Sequence, residues 1–332
     1  MAMAMVIDAS QISSALSWPP LLHHLRSAFE NAAFFISPIR HCHSLPTPTH
    51  ATLLLMPAWP ANPNPDAFPF MGVKIVSVFP RNSDSSSSDD ASCGAVSASY
   101  LLSSAVSGRP VAFLDGGSLT LWRTAAVSAI AADCLSRPDP KTFLMVGAGA
   151  MAPFLVRAHC SVRPSIGRIL IWNRTHIRAS AMAETLQAEM KNRDITISAC
   201  SSLEEASRSA DLICCATMSQ EALIRGAWLR PGAHLDLVGS FRPDMCEADK
   251  DAICDNVVFV DTEAAAIEAG ELVGLSRFVK GNLSQLLSGE RPGRSNLTDI
   301  TVFKSVGCAL ADLATAQLVY EKLTGQSNLK DS

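Results

Sequence analysis

Residues 142–175, TFLMVGAGAMAPFLVRAHCSVRPSIGRILIWNRT, constrain the fold of this chain more than any other stretch, because strand, glycine turn, helix and second strand follow in unbroken order. The apolar run Thr142 to Val146 meets Gly147-Ala148-Gly149-Ala150-Met151-Ala152, a GxGxxA turn. Pro153 then opens a helix carrying Phe154, Leu155, Val156 and Ala158, and Arg168 to Trp172 is the second strand, ending on Asn173-Arg174-Thr175. Glycine at such a turn lets the backbone approach a pyrophosphate, whose charge sits on the positive end of the following helix. A lone glycine pattern is a weak signal. Here the flanking elements all fall in place, so the segment predicts a dinucleotide site.

The end of the second strand selects the dinucleotide. An NAD enzyme usually carries Asp or Glu there, about 20 residues past the turn, to accept the ribose hydroxyls. This chain has Asn173, the cation Arg174 and the hydroxyl of Thr175. A carboxylate would repel a 2′-phosphate, whereas Arg174 can clamp one with paired hydrogen bonds. NADPH is therefore the expected cofactor, with NADH possible. The competing reading of Arg174 is a solvated surface charge. Asn173-Arg174-Thr175 is also a formal glycosylation sequon, as are Asn282-Leu283-Ser284 and Asn296-Leu297-Thr298, although nothing routes the chain to a secretory compartment.

Composition removes several function classes. The 27 Lys and Arg against 31 Asp and Glu create no basic field for nucleic acid or a membrane surface, so neither is expected as a partner. No apolar run approaches the length that spans a bilayer. Ten cysteines occur without a CxxC pair, which fits a reducing compartment. His41-Cys42-His43 and His23-His24 lack a second cluster at ligand spacing, so no metal is expected. The N-terminus carries Asp8 and no Arg before Arg26, a poor transit peptide.

Three zones follow along the chain. Up to about residue 124 the reading is short strands and turns, with Leu53–Met56 and Val73–Phe79 as strands. Leu16, Leu21, Leu22, Leu25, Ala28 and Phe29 give an amphipathic helix, and the serine-rich stretch Asn82 to Ser92 reads as a mobile loop. Val111–Leu114 and Leu119–Trp122 flank Asp115-Gly116-Gly117-Ser118, which reads as a hairpin turn. From about 125 to 300, strands at Thr196–Cys200, Asp211–Ala216, His234–Val238 and Val257–Asp261 alternate with helices such as Ile177–Met190. That alternation predicts an α/β fold with a doubly wound parallel sheet of the Rossmann type. Its ligand contacts should come from the strand-end loops Ala216-Thr217-Met218-Ser219 and Gly239-Ser240-Phe241-Arg242. A linking helix, Thr124 to Leu135, and a closing helix, Val302 to Leu323, tie this sheet back to the first zone.

Lys74 is the outstanding candidate for acid–base work. In Gly72-Val73-Lys74-Ile75-Val76-Ser77-Val78-Phe79, alternation puts it on one face with Val76 and Val78. A lysine there is either desolvated, with a lowered pKa that suits proton donation, or snorkels from a strand end. Arg40 and Arg123 sit beside apolar residues at element boundaries, where each could hold a carboxylate or simply lie at the surface.

Read in order, Met56-Pro57-Ala58-Trp59, Gly72-Val73-Lys74, Asp115-Gly116, Arg123-Thr124-Ala125-Ala126, the GAGAMA turn, Trp172-Asn173-Arg174-Thr175, Val238-Gly239-Ser240-Phe241-Arg242-Pro243-Asp244 and Thr301-Val302-Phe303-Lys304-Ser305-Val306-Gly307 resemble the ornithine cyclodeaminase/mu-crystallin family over about residues 10–325. The wording is most similar to its plant members, which reduce cyclic ketimines such as 1-piperideine-2-carboxylate to pipecolate. The resemblance implies a homodimer. A smaller α+β substrate and dimerisation domain would form from residues 1–124 with 301–332, and an NADP-binding Rossmann domain from 125–300. It implies that Arg40, Lys74 and Arg123 surround a substrate carboxylate. Thr124, the turn residues Gly147, Gly149, Ala150 and Met151, then Asn173, Arg174, Thr175 and Ser305 would contact the cofactor, and Glu268 would face the pocket. It also implies a soluble, intracellular protein, chloroplastic if it follows the plant members and cytoplasmic otherwise.

Three departures from the family sharpen the expectation. Phe241 stands where ornithine cyclodeaminases carry a catalytic Asp, so the amine of ornithine would lack its base. Val96 replaces a histidine that many relatives place near the nicotinamide. Leu272–Gly281 is shorter than in the plant members, which puts the outer edge of the sheet in question. The expected activity is reduction of a cyclic imine carboxylate. The rivals are a cyclodeaminase or alanine dehydrogenase, and a ligand-binding protein with little catalysis.

Overall fold

The computed structural model describes residues 3–47, 51–64, 69–79 and 96–325. The chain divides into two units, Met1–Arg123 with Cys308–Ser332, and Thr124–Gly307. Asn82 to Ser92, read as a mobile loop, lies outside the described residues.

The first unit is built on period-2 alternation. Its elements are β1 (Met5–Ile7), α1 (Ala9–Ala15), α2 (Trp18–Glu30), β2 (Phe35–Ile36), β3 (His41–Ser44), β4 (Thr52–Pro60), β5 (Phe70–Val78), β6 (Val96–Ser104) and β7 (Pro110–Asp115). They pair in the order β1-β7-β6-β5-β4-β2, with β3 also on β4. All neighbours are antiparallel except β1 and β7. In α2, Leu21, Leu25 and Phe29 recur at helical spacing and are fully buried, as the amphipathic pattern predicts.

The predicted hairpin at Asp115-Gly116-Gly117-Ser118 does not form. Helix α3 (Gly116–Leu135) starts there, so Leu119–Trp122 is helical and the linking helix begins eight residues before Thr124. The Asp115 carboxylate accepts the Ser118 N–H at 2.6 Å, satisfying a helix N-terminal donor instead of closing a turn. Gly116 is glycine because a Cβ there would lie 2.7 Å from the backbone of Ala98 and Ser99 on β6. The same four residues serve a hairpin or a helix start, and this close approach selects the helix.

The second unit runs β8 (Thr142–Val146), α4 (Ala152–Val162), β9 (Arg168–Trp172), α5 (His176–Glu189), β10 (Thr196–Ala199), α6 (Leu203–Ser209), β11 (Leu212–Cys215), β12 (His234–Leu237), α7 (Lys250–Ile253), β13 (Val257–Val260), α8 (Ala265–Glu268), β14 (Val279–Asn282), α9 (Leu283–Leu287) and β15 (Thr301–Lys304). The strand order is β10-β9-β8-β11-β12-β15-β13-β14, and every pair is parallel. The order reverses between β8 and β11, the crevice where doubly wound sheets bind ligands. The outer edge is complete, since β14 pairs with β13 through a bulge at Val258/Phe259.

The closing helix is expected from Val302, but Val302 to Lys304 belong to the strand Thr301–Lys304. That strand is buried between β12 and β13, and α10 (Ala309–Thr324) starts only after Gly307, whose φ is +84°. Four residues, Thr-Val-Phe-Lys, are too few to show a period of their own, so only their neighbours decide between strand and helix. Among the described residues no helix is long and apolar enough to cross a membrane.

Candidate functional site

In the first unit, β5 and β6 place Lys74 directly opposite Tyr100, and α10 supplies Asp312. Lys74 is 2% exposed and Asp312 fully buried, with Lys74 Nζ 2.9 Å from each Asp312 carboxylate oxygen. The same carboxylate accepts Arg123 Nε at 2.9 Å, and Lys74 also donates to the Thr120 hydroxyl at 3.4 Å. Lys74 is therefore paired and desolvated, and the snorkelling alternative is removed. Burial first, then the Arg123 charge, pushes its pKa down to about 8, while Asp312 holds it up and Arg40 lowers it further. Two buried cations share one buried anion, with a third cation close enough to act on them. The cluster is net positive and water-poor, a setting that attracts a small carboxylate.

Tyr100 was missed by the sequence reading. Its hydroxyl is buried and makes no hydrogen bond among the described residues, and burial, then the Asp312 charge, raises its pKa. A Cβ on Gly72 would sit 2.3 Å from that hydroxyl, so glycine is required for the ring to lie beside Lys74. Asp312 was missed as well, although an acid inside the apolar run Ala309 to Ala314 was a visible signal.

In the second unit, a cavity of about 370 Å³ opens beside the glycine turn. It is lined by Gly147, Ala148 and Gly149, by Trp172 to Thr175 with Arg178, and by Ala216 to Ser219 with Leu223. Gly147 has φ +107°, and a Cβ there would meet the Ala216 carbonyl at 2.6 Å. Gly149 differs, because a Cβ would meet nothing within 4 Å. Among the described residues no neighbour requires glycine at 149, so the space it leaves suits the close approach of a ligand backbone. Gly149→Ala is expected to leave stability within about 0.5 kcal/mol and to weaken cofactor binding; thermal melts and cofactor titration of one variant test both halves.

The other cofactor candidates divide. Asn173 Oδ1 accepts the Ala148 N–H at 3.2 Å, and its amide donates to the Thr175 carbonyl, so Asn173 braces the turn. Arg174 and Thr175 are exposed on the cavity, joined by Arg178 from the first turn of α5, which the sequence reading missed. That turn carries no acid and no side-chain cap, leaving its positive end open to an anion. Ala216, Thr217 and Met218 line the cavity, and the Gly239-Ser240-Phe241-Arg242 loop does not. Ala150 and Met151 stand outside the lining. Thr124 has a buried hydroxyl without a hydrogen-bond partner among the described residues. Ser305 donates its hydroxyl to Asp261 at 2.9 Å. Glu268 ends α8 half-buried, Val96 is exposed, and Phe241 packs against the apolar core.

One buried trio, His159, Cys214 and Asp236, brings its ligating atoms within 4.8 Å of one another. Its members meet at the Asp236 carboxylate. His159 Nδ1 donates to the Leu155 carbonyl at 2.8 Å, its Nε2 lies 3.3 Å from Asp236, and the Cys214 thiol donates to the same carboxylate at 3.3 Å. Burial alone would raise Asp236, but the His159 hydrogen bond and charge hold its carboxyl below the usual range.

A parallel sheet with a glycine turn at its switch point, an arginine-lined cavity and a separate unit bearing a buried cation cluster define a two-domain Rossmann oxidoreductase. The sequence profile of the ornithine cyclodeaminase/mu-crystallin family matches residues 3–327, and the chain belongs to that family. It is 41% identical over 328 residues to protein SAR DEFICIENT 4 of Arabidopsis thaliana, covering 96% of this chain and 98% of that one. It is 36% identical over 228 residues to the ketimine reductase mu-crystallin of Mus musculus, covering 68% and 69%. Among solved structures, the Thermococcus litoralis Δ1-pyrroline-2-carboxylate reductase in complex with NADH and L-proline superposes with a TM-score of 0.87 at 28% identity, over 97% of this chain and 98% of that one.

Proposed function

We propose that this protein reduces a cyclic ketimine carboxylate with NADPH, converting 1-piperideine-2-carboxylate to pipecolate and, with it, 1-pyrroline-2-carboxylate to proline. The observation that carries the reading is the buried, net positive Lys74–Arg123–Asp312 cluster, with Arg40 acting on it. The cofactor, when bound, supplies a hydride for the C=N carbon. Arg123 and Arg40 hold the substrate carboxylate, and Lys74, with a pKa of about 8, delivers the proton that the ring nitrogen needs. A protonated nitrogen makes its carbon electrophilic, so positioning does most of the remaining work. Gly147, Gly149 and Thr217 would hold the cofactor's pyrophosphate side, with Arg174 and Arg178 reading the 2′-phosphate.

Phe241 argues against cyclisation of ornithine, because an apolar ring packed on the core cannot act as a base. The test is oxidation of NADPH and of NADH with five- and six-membered ketimine carboxylates. Turnover of either ring supports the reading. Cofactor binding with no oxidation on any ketimine favours a ligand-binding role instead.

A homodimer is part of the proposal. The face of the first sheet opposite Lys74 carries Val6, Phe113, Leu101, Val73, Pro57, Leu55 and Ile75 in register across five strands. Val6 is 75%, Phe113 47% and Ile75 41% exposed within one chain, a contiguous apolar patch of the kind that marks an interface. Phe113→Asp should shift the solution mass measured by light scattering from dimer to monomer. A variant that stays dimeric would place the interface elsewhere.

A further inference from the structure

A chain of buried charge runs back from Thr217 in the cavity wall, and its charged members, Glu247, Glu271 and Lys304, have no role in the chemistry above. Glu247, fully buried in the loop after β12, accepts three donors: the Thr217 N–H at 2.6 Å and the Thr217 hydroxyl at 2.8 Å on Oε1, and the Gly239 N–H at 2.7 Å on Oε2. Both backbone donors belong to residues just past sheet strands, where the ladder no longer pairs them. Glu247 donates its own N–H to Glu271 at 2.6 Å, and the other Glu271 oxygen accepts the Ser240 hydroxyl and lies 3.7 Å from the buried Lys304 ammonium. Gly239 is pressed against the same loop, since a Cβ there would sit 2.0 Å from the Thr217 carbonyl oxygen.

Thr217 is the one member of this chain that lines the cavity. Its neighbour Ala216 bounds the glycine turn, its carbonyl being 2.6 Å from where a Gly147 Cβ would stand. A shift of the 216–217 backbone is therefore felt at the turn as well. We infer that Glu247 is a positioning residue for the bound cofactor: its ionised carboxylate fixes the Thr217 and Gly239 backbone, and through them the cavity wall and the glycine turn. The inference rests on reading the cavity as a nicotinamide-dinucleotide site.

Protonation would exchange an acceptor for a donor facing N–H groups, and the loop would loosen. Burial raises the pKa of Glu247, so this happens at a higher pH than for a free carboxylate, with affinity falling as pH falls. The charged and titratable groups that face it are Glu271 and Lys304, with the thiols of Cys214, Cys215 and Cys246, which burial keeps neutral.

NADH is the probe, because the 2′-phosphate of NADPH would add its own ionisation near pH 6. It is titrated by fluorescence against the wild type and Glu247→Gln from about pH 5 to pH 8. Wild-type affinity is expected to fall several-fold toward acid. Glu247→Gln is expected to bind about 10- to 100-fold more weakly at the alkaline end, with no pH slope. Gly239→Ala, whose Cβ would lie 2.0 Å from the Thr217 carbonyl oxygen and 2.4 Å from Glu247 Oε1, displaces the loop and the carboxylate together and should also bind more weakly at the alkaline end. A Gln variant with wild-type affinity, or one that keeps the wild-type slope, overturns the inference. If that variant does not fold, a flat wild-type profile overturns it equally. A wild type that binds neither NADH nor NADPH removes the nucleotide reading itself, and the inference with it.

Discussion

Lys74→Met is expected to lower the turnover of ketimine reduction by about 10²- to 10⁴-fold while leaving NADPH affinity nearly unchanged, the loss that follows if Lys74 is the positioned general acid proposed above. The sign of the pH dependence follows from the cluster. Burial and the Arg123 charge bring Lys74 down to about 8, so the proton it donates is present at neutral pH and is lost as pH rises through that value. The wild-type rate should therefore decline on the alkaline side near pH 8, and Lys74→Met should lack that limb. Asp312→Asn should move the limb to lower pH, because Asp312 is the group that holds the Lys74 proton on. Unchanged turnover in Lys74→Met would take the lysine out of the chemistry.

Arg174→Ala is expected to raise the Kd for NADPH by about 10- to 100-fold and to change the Kd for NADH by less than about twofold. A hydrogen bond to a charged group is worth about 1.5–3 kcal/mol, and each 1.4 kcal/mol is about a tenfold change. Because Arg174 and Arg178 are both exposed, solvent screening puts the effect at the lower end, and the double variant should lose more than either single one. Titration of each protein with both reduced cofactors checks this. Equal losses for NADH and NADPH would mean that these arginines do not read the 2′-phosphate.

Much of the second unit was legible in the sequence, for a physical reason. A GxGxxA turn between a strand and a helix is a local constraint: Gly147 needs φ +107°, and the strand end at Asn173 comes back to brace Ala148 within the same strand–helix–strand unit. Short apolar strands spaced by helices leave a parallel sheet as the way to bury both faces. Lys74 was legible too, since alternation alone put a charge on an apolar face.

The failures share a cause. Asp115-Gly116-Gly117-Ser118 carries the same local preferences for a hairpin and for a helix start, and the backbone of β6 against Gly116 chose between them. Thr301–Lys304 is too short to show a period, and its place between β12 and β13 made it a strand. The acid inside α10 could be seen, but not that it would meet Lys74, 238 residues earlier, and Arg123, 189 residues earlier.

The order of residues thus determined what depends on neighbours along the chain: the glycine turn, the cation at the second strand's end, the faces of strands and the identity of the family. Tertiary structure alone decided what depends on groups far apart in sequence. It paired Lys74 and Arg123 on one carboxylate, left the Tyr100 hydroxyl without a hydrogen-bond partner among the described residues, and tied Thr217 through Glu247 and Glu271 to Lys304. A pKa, an ion pair or a loop position is set by the charges and dipoles within a few ångströms, and folding brings those together from any part of the chain.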